Sequence, residues 1–441
     1  MPATVVFSCG LRYLIARRGK TVGFYALSHY NLQTEPSPYL LRLRATLTPM
    51  VTPPRVQPRI ATLDFVRGVA LLGILLMNVS AFGLPEAAYL NPAYNGLPSL
   101  RDAWTWAVMD ILVQGKFLTM FALLFGASLQ LLQPRGRSWI HARLFWLMIF
   151  GLIHSLFFWD GDILLDYGLI GLVCCGMLRM AESPRLLLRA GTIMYLAGVA
   201  ILVVLSQLLS QTGGRFWQPG PADLAYEAHW LVTGGPEAWS HRLSMLSQSL
   251  LSMGVQYGWL LCGAMLLGGA LMRSGWLKGE FSLSHYRRIA WVLLIPALLI
   301  NGVGVVAQWQ LNWEYRWCGL LLQIPGELSA PLQAIGYLAL CYGYWPTLRR
   351  WRLTKWISDI GRMALSSYLL QTLMCTTLFY QLGWFMKLDR LALLALVPPM
   401  WIVNLLFAHY WLRVFRQGPM EWLWRRLTRF VAGKPDVVIS K

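Results

Sequence analysis

An apolar run long enough to cross a bilayer occupies residues 63–83, and nine more follow it along the 441-residue chain. They lie near 112–132, 141–159, 163–180, 186–208, 248–272, 288–308, 325–345, 356–380 and 391–413. A transmembrane helix needs about 20 mostly apolar residues to cross a hydrocarbon layer of about 30 Å. The runs therefore predict an all-α polytopic integral membrane protein of about ten transmembrane helices. Only 13% of the residues are charged, whereas a soluble domain carries about 25%.

The connecting loops alternate in charge. One set holds Arg135, Arg137 and Arg143, then Arg179, Arg185 and Arg189, then Arg273, Lys278, Arg287 and Arg288, then Arg349, Arg350, Arg352 and Lys355, and finally the basic tail. The other set holds Asp160 and Asp162, then Asp223, Glu227 and Glu237, then Glu314, then Asp389. Positive loops stay in the cytoplasm. Both termini are thus expected there. The net charge of +19 would suggest nucleic acid in a soluble chain. Here it follows from orientation, so the expected partner is the lipid bilayer and no nucleic acid.

Residues 1–58 stand apart as a basic N-terminal arm with one acid, Glu35. A native start at Met50 is the favoured expectation, which makes 1–49 upstream sequence. The ten-helix domain is placed at 59–430 and a cytoplasmic tail at 431–441. Segment 209–247 reads as one long outer loop, because Gly213, Gly214, Pro219, Pro221, Gly234, Gly235 and Pro236 break regular structure. Its aromatics could rest on head groups, or the segment could form a lid.

Charges are rare inside membranes and mark function by default. At 100° per residue Asp64, Arg67, Leu71 and Asn78 share one face of the first helix. A second cluster is HSLFFWDGDILLDY, 154–167. Its His154, Asp162 and Asp166 suit proton transfer, since a carboxylate orients an imidazole and raises its basicity. Turn and cap roles for Asp160 and Asp162, with His154 bonded to a backbone carbonyl, fit the same residues. Lys116 either snorkels to the surface or pairs with an acid of this cluster. Glu327 sits in QIPGELSAP, where Pro325, Gly326 and Pro331 weaken the eighth helix; broken helices at membrane depth usually line a cavity. Arg362 and Ser366 share a face of the ninth helix. The cysteines and histidines show no metal-ligand spacing, so no metal and no resident cofactor are expected.

Six stretches together carry a resemblance: LDFVRGVALLGILLMNVSAFG (63–83), GKFLTMFALLFGASLQLL (115–132), GLIHSLFFWDGDILLDYGLIGL (151–172), MRSGWLKGEFS (272–282), GRMALSSYLLQT (361–372) and FRQGPMEWLWRRLT (415–428). The chain resembles the YeiB-type inner-membrane proteins of the family called domain of unknown function 418. That family is grouped by sequence with membrane acyltransferases, the acyltransferase-3 proteins and the heparan glucosaminide acetyltransferases. The shared opening is D-x-x-R-G with a downstream Asn, here Asp64, Arg67, Gly68 and Asn78. The heparan enzymes use a histidine soon after this motif, and the matching loop 83–96 contains none. His154 would have to serve instead.

The resemblance implies a transmembrane acyltransferase that moves an acyl group from a cytoplasmic donor to an envelope or small-molecule acceptor. Acyl-CoA would be the co-substrate. Asp64, Arg67, Lys116, Glu327, Arg362 and Ser366 are the expected donor- or substrate-binding residues, with Arg67 and Arg362 nearest the donor. Asn78 would hold the acyl oxygen, and His154, set by Asp162 or Asp166, would be the base. The alternative is a proton-coupled secondary transporter using Asp166, His154 and Glu327.

Overall fold

A computed structural model describes residues 15–18, 21–24, 60–209 and 212–433. The chain divides into two units, Met1–Gln57 and Pro58–Lys441. In the first, β1 (Ile15–Arg18) pairs antiparallel with β2 (Thr21–Phe24). The rest of the expected arm, the Met50 start and residues 434–441 of the tail lie outside the described residues.

The described part of the second unit is helical throughout. Its main elements are α1 (Ala61–Gly83), α2 (Leu100–Leu112), α3 (Lys116–Leu132), α4 (Arg137–Phe157), α5 (Leu164–Met180), α6 (Pro184–Leu208), α7 (Pro221–Thr233), α8 (Gly235–Ser252), α9 (Gly258–Arg273), α10 (Leu283–Gln310), α11 (Ile324–Gly343), α12 (Arg352–Arg362), α13 (Ala364–Thr376), α14 (Arg390–Val414) and α15 (Pro419–Ala432). Among the described residues, seven stretches are long and apolar enough to span a membrane: α1, α2 running into α3, α4, α6, α8 running into α9, α10 and α14. This is a multi-pass membrane protein.

Each of the ten apolar runs is helical, with three departures. Helix α2 precedes the second run, where a loop was expected; Gly115, at φ 76°, breaks α2 from α3. The loop expected over 209–247 instead carries α7 and α8. Pro221 and Pro236 fall at their first turns, where the missing N–H leaves no bond unmade. The ninth run is broken at Met363 into α12 and α13.

Helix α9 is the most enclosed, buried at every residue from Leu260 to Ala270 and packed between α3 and α6. Leu299 and Val303 of α10 and Ile193 of α6 are among the exposed apolar residues that would face lipid. Two contacts position the polar residues. Helices α1 and α12 cross so closely that a Cβ on Gly361 would lie 1.8 Å from the Asp64 carbonyl oxygen. On α4, a Cβ on Gly151 would lie 2.7 Å from the Asp162 carboxylate. Only glycine fits there, so α4 and the turn before α5 meet at backbone distance.

Candidate functional site

Two cavities enter the bundle from opposite ends of α1. The first, about 320 Å³, opens among basic residues and is lined by Arg67, Arg143 and Arg362. Above these the walls are apolar: Leu71, Phe121, Phe125, Leu144, Leu147 and Tyr368 among others. Arg67 donates to Ser128 Oγ at 2.7 Å and lies 3.4 Å from Asp64. Arg362 pairs with Asp359 at 3.0 Å, and its buried Nε has no partner. Asp359 also holds His409 Nδ1 at 3.0 Å. The Arg143 guanidinium sits 3.5 Å over the Trp424 ring. Ser366 reaches this cavity indirectly, through Glu421, to which its hydroxyl donates at 2.5 Å.

The second cavity, about 390 Å³, is lined by Ile74, Met77 and Asn78 of α1, by Glu86, Asp160 and Glu227, and by an aromatic wall. Residues of the 212–247 segment, Phe216, Trp217, Trp230, His241 and Met245, form part of it. Glu227 accepts a 2.9 Å bond from the Glu86 backbone N–H. Burial raises both glutamates to about 7; Asp160 adds to it at Glu86, and Glu86 and Asp160 add to it at Glu227.

The cavities share one lining residue, Ile163. Beside it Tyr167 of the first cavity donates to the carbonyl of Leu118 in the second, at 3.1 Å. Face-sharing on α1 thus places Arg67 and Leu71 on one cavity and Asn78 on the other. The expected stripe exists, but Asn78 and Arg67 do not meet at one site.

Behind this wall lies the histidine cluster. His154 Nδ1 is 2.8 Å from Asp162 Oδ1, and Nε2 is 3.0 Å from Thr372 Oγ1. The other Asp162 oxygen accepts from the Leu165 N–H at 2.9 Å. Asp162 therefore both caps α5 and holds the imidazole. It precedes α5 rather than sharing a helix face with Asp166. No hydrogen bond joins Asp166 to the cluster. His154 is 2% exposed and lines neither cavity; the Tyr368 ring, 5.3 Å from it, separates it from the first.

Lys116 and Glu327 lie elsewhere. Lys116 is buried, and its ammonium donates to the Asp110 carbonyl at 2.6 Å. It neither snorkels nor reaches the His154 acids. Asp110 binds Asn301, and Glu327 accepts from Tyr195. Thr372, Arg143, Asp359 and His409 were not singled out in the sequence. No group that could hold a metal ion occurs among the described residues.

The chain is 58% identical to the uncharacterized protein YeiB of Escherichia coli over 375 residues, which cover 85% of this chain and 97% of that protein. The family described as protein of unknown function (DUF418) matches residues 271–431. This chain belongs to the DUF418 family. The uncharacterized protein YxaH of Bacillus subtilis is 29% identical over 403 residues, 85% of this chain and 96% of its own length. An uncharacterized 39.9 kDa protein of Bacillus acidopullulyticus is 25% identical. The DUF418 match takes in Arg362, Ser366 and Thr372, but not His154 or Asp162. None of these names carries an activity.

Proposed function

We propose that this DUF418 protein is a transmembrane acyltransferase. In this reading the basic end faces the cytoplasm, as the positive-inside rule requires, with both termini there and ten spans in the inner membrane. One observation carries the reading: two cavities of opposite chemistry back onto each other at Ile163. A transporter passes one substrate through both sides, so both should offer similar contacts. Here one side offers three guanidiniums and one carboxylate, Glu421, below an apolar shaft, and the other offers three carboxylates and no arginine or lysine among its lining residues. Two different substrates fit this better than one.

The guanidiniums suit the phosphates of acyl-CoA, since arginine binds phosphate bidentately. The shaft would take the pantetheine arm and acyl group toward Tyr368 and Ile163. With Nδ1–H donated to Asp162, His154 keeps Nε2 free to accept a proton, through the Thr372 hydroxyl. The acceptor N–H or O–H attacks the thioester carbonyl. Its proton passes through Thr372 to His154, the C–S bond breaks, and the departing thiolate takes the proton back. A shift of Tyr368 or Ile163 must open the wall for this step.

The test is acyl-CoA-dependent labelling of an envelope component by purified protein in lipid nanodiscs. His154→Ala should abolish it at unchanged expression. Full activity in that variant would remove the proposed base. Uptake into proteoliposomes driven by a pH gradient, without labelling, would favour the transporter.

A further inference from the structure

Helix α15 is fastened to the bundle by one of its faces. Trp424 and Thr428 on that face are buried, and the Trp424 indole donates to the Arg143 carbonyl at 2.7 Å. The Glu421 carboxylate holds the same side, accepting the Leu365 and Ser366 N–H groups at the start of α13 at 2.8 and 3.1 Å. The helix's acid is thus turned inward, and no other follows before Gly433.

The other two flanks differ in chemistry. Spacings of three and four put Leu423, Leu427 and Phe430 on one flank, and Phe430 is 86% exposed. Arg425 and Arg429, four apart, lie on the opposite flank, and both are exposed. Trp422 and Arg426 fall between them, with the Arg426 guanidinium 5.3 Å over the Trp422 ring. Among the described residues neither Arg426 nor Arg429 forms an ion pair. A docked face, an apolar flank and a basic flank are the pattern of a helix that lies in a membrane interface.

The chain on either side of Phe415 says what covers these flanks. Helix α14 is a spanning stretch of 25 residues that ends at Val414. It rises about 37 Å against about 30 Å of hydrocarbon, so its end reaches the membrane surface. Pro419 opens α15 five residues later, a reach of about 18 Å at most. With 14 residues, α15 rises only about 21 Å and is too short to cross. It starts at the surface, and guanidiniums there are complementary to anionic headgroups.

We propose that α15 lies on the bilayer and binds anionic phospholipid headgroups through Arg425, Arg426 and Arg429, with Leu423, Leu427 and Phe430 set into the acyl boundary. The proposal does not rest on the acyltransferase reading. Glu421 and Trp424 also line the first cavity, so bilayer charge steadies one wall of its mouth.

The experiment is hydrogen exchange of the full chain in nanodiscs of phosphatidylcholine alone and of an equimolar mixture with phosphatidylglycerol. The amides of α15 should exchange about fivefold or more slowly in the anionic discs, the worth of one arginine at such a surface, while those of α1 should not differ. Added salt should remove the difference. Exchanging all three arginines for Gln should abolish it, and exchanging them for Lys should restore it. Phe430→Ser should speed exchange of α15 in both discs. Equal exchange of α15 in the two discs would overturn the proposal, as would a difference that survives in the Gln variant or is lost in the Lys variant. Equal slowing by glycerol phosphate in phosphatidylcholine discs would overturn it in favour of a free anion. Slowing by poly-glutamate with none by phosphatidylglycerol would overturn it in favour of an acidic protein partner.

Discussion

His154 and Thr372, 218 residues apart, are joined at Nε2 and Oγ1 by a 3.0 Å hydrogen bond, while Asp162 holds the opposite ring nitrogen at 2.8 Å. These contacts are the ones the proposed proton relay requires. Replacing Thr372 by Val keeps the shape and removes the hydroxyl. Turnover should fall by about 10²-fold, within the usual range for a lost acid–base partner. Thr372→Ser should recover most of it. Equal rates for the Val and Ser variants would show that the hydroxyl moves no proton.

Asp162 has two duties, and they can be separated. Asp162→Asn retains an oxygen for the Leu165 N–H, so the cap on α5 should survive. The amide cannot fix Nδ1–H and support the imidazolium as a carboxylate does. Turnover should therefore drop by about 10²-fold or more, with thermal unfolding shifted little. Asp162→Ala should lose both activity and stability, the cap alone being worth about 1 kcal/mol. A normal rate in the Asn variant would confine Asp162 to its cap.

The three arginines of the first cavity predict a KM effect. Arg67→Gln, Arg143→Gln and Arg362→Gln should each raise KM for acyl-CoA, by about tenfold for one lost charge-assisted pair. The kcat should change less. Affinity for the donor should also fall with salt, because the mouth is solvent-accessible. A donor KM insensitive to all three substitutions would move the donor elsewhere.

The apolar windows carried much of the fold. The ten apolar runs are helices because each window buries apolar surface and satisfies its own backbone. The helices hidden in 100–112 and 221–252 are less uniformly apolar, so windows missed them, and prolines read as breakers turned out to start helices. The face of α1 was legible from 100° spacing. The pairing of His154 with Asp162 was legible because both lie in one short stretch. Thr372 was not: it lies on another helix, and an isolated threonine in an apolar run carries no signal of its neighbour. Arg143 resembled any loop cation until Trp424 was seen beneath it. Lys116 was misplaced because its partner, Asp110, sits in the unexpected helix α2.

Glu86 and Glu227 make stability depend on pH. Both are raised to about 7, above the usual 4.5, chiefly by burial, with Asp160 adding to it at Glu86 and Glu86 and Asp160 adding to it at Glu227. The folded protein thus holds protons that the unfolded chain has already lost between about pH 4.5 and 7. Their contribution is fully present below the unfolded value and is lost as pH rises through about 7. The unfolding temperature in nanodiscs should fall from pH 5 to pH 8. Glu227→Gln removes one of the two raised carboxylates, so it should flatten that slope and raise stability at pH 8. An unaltered slope in Glu227→Gln would show that the glutamates ionise independently of folding.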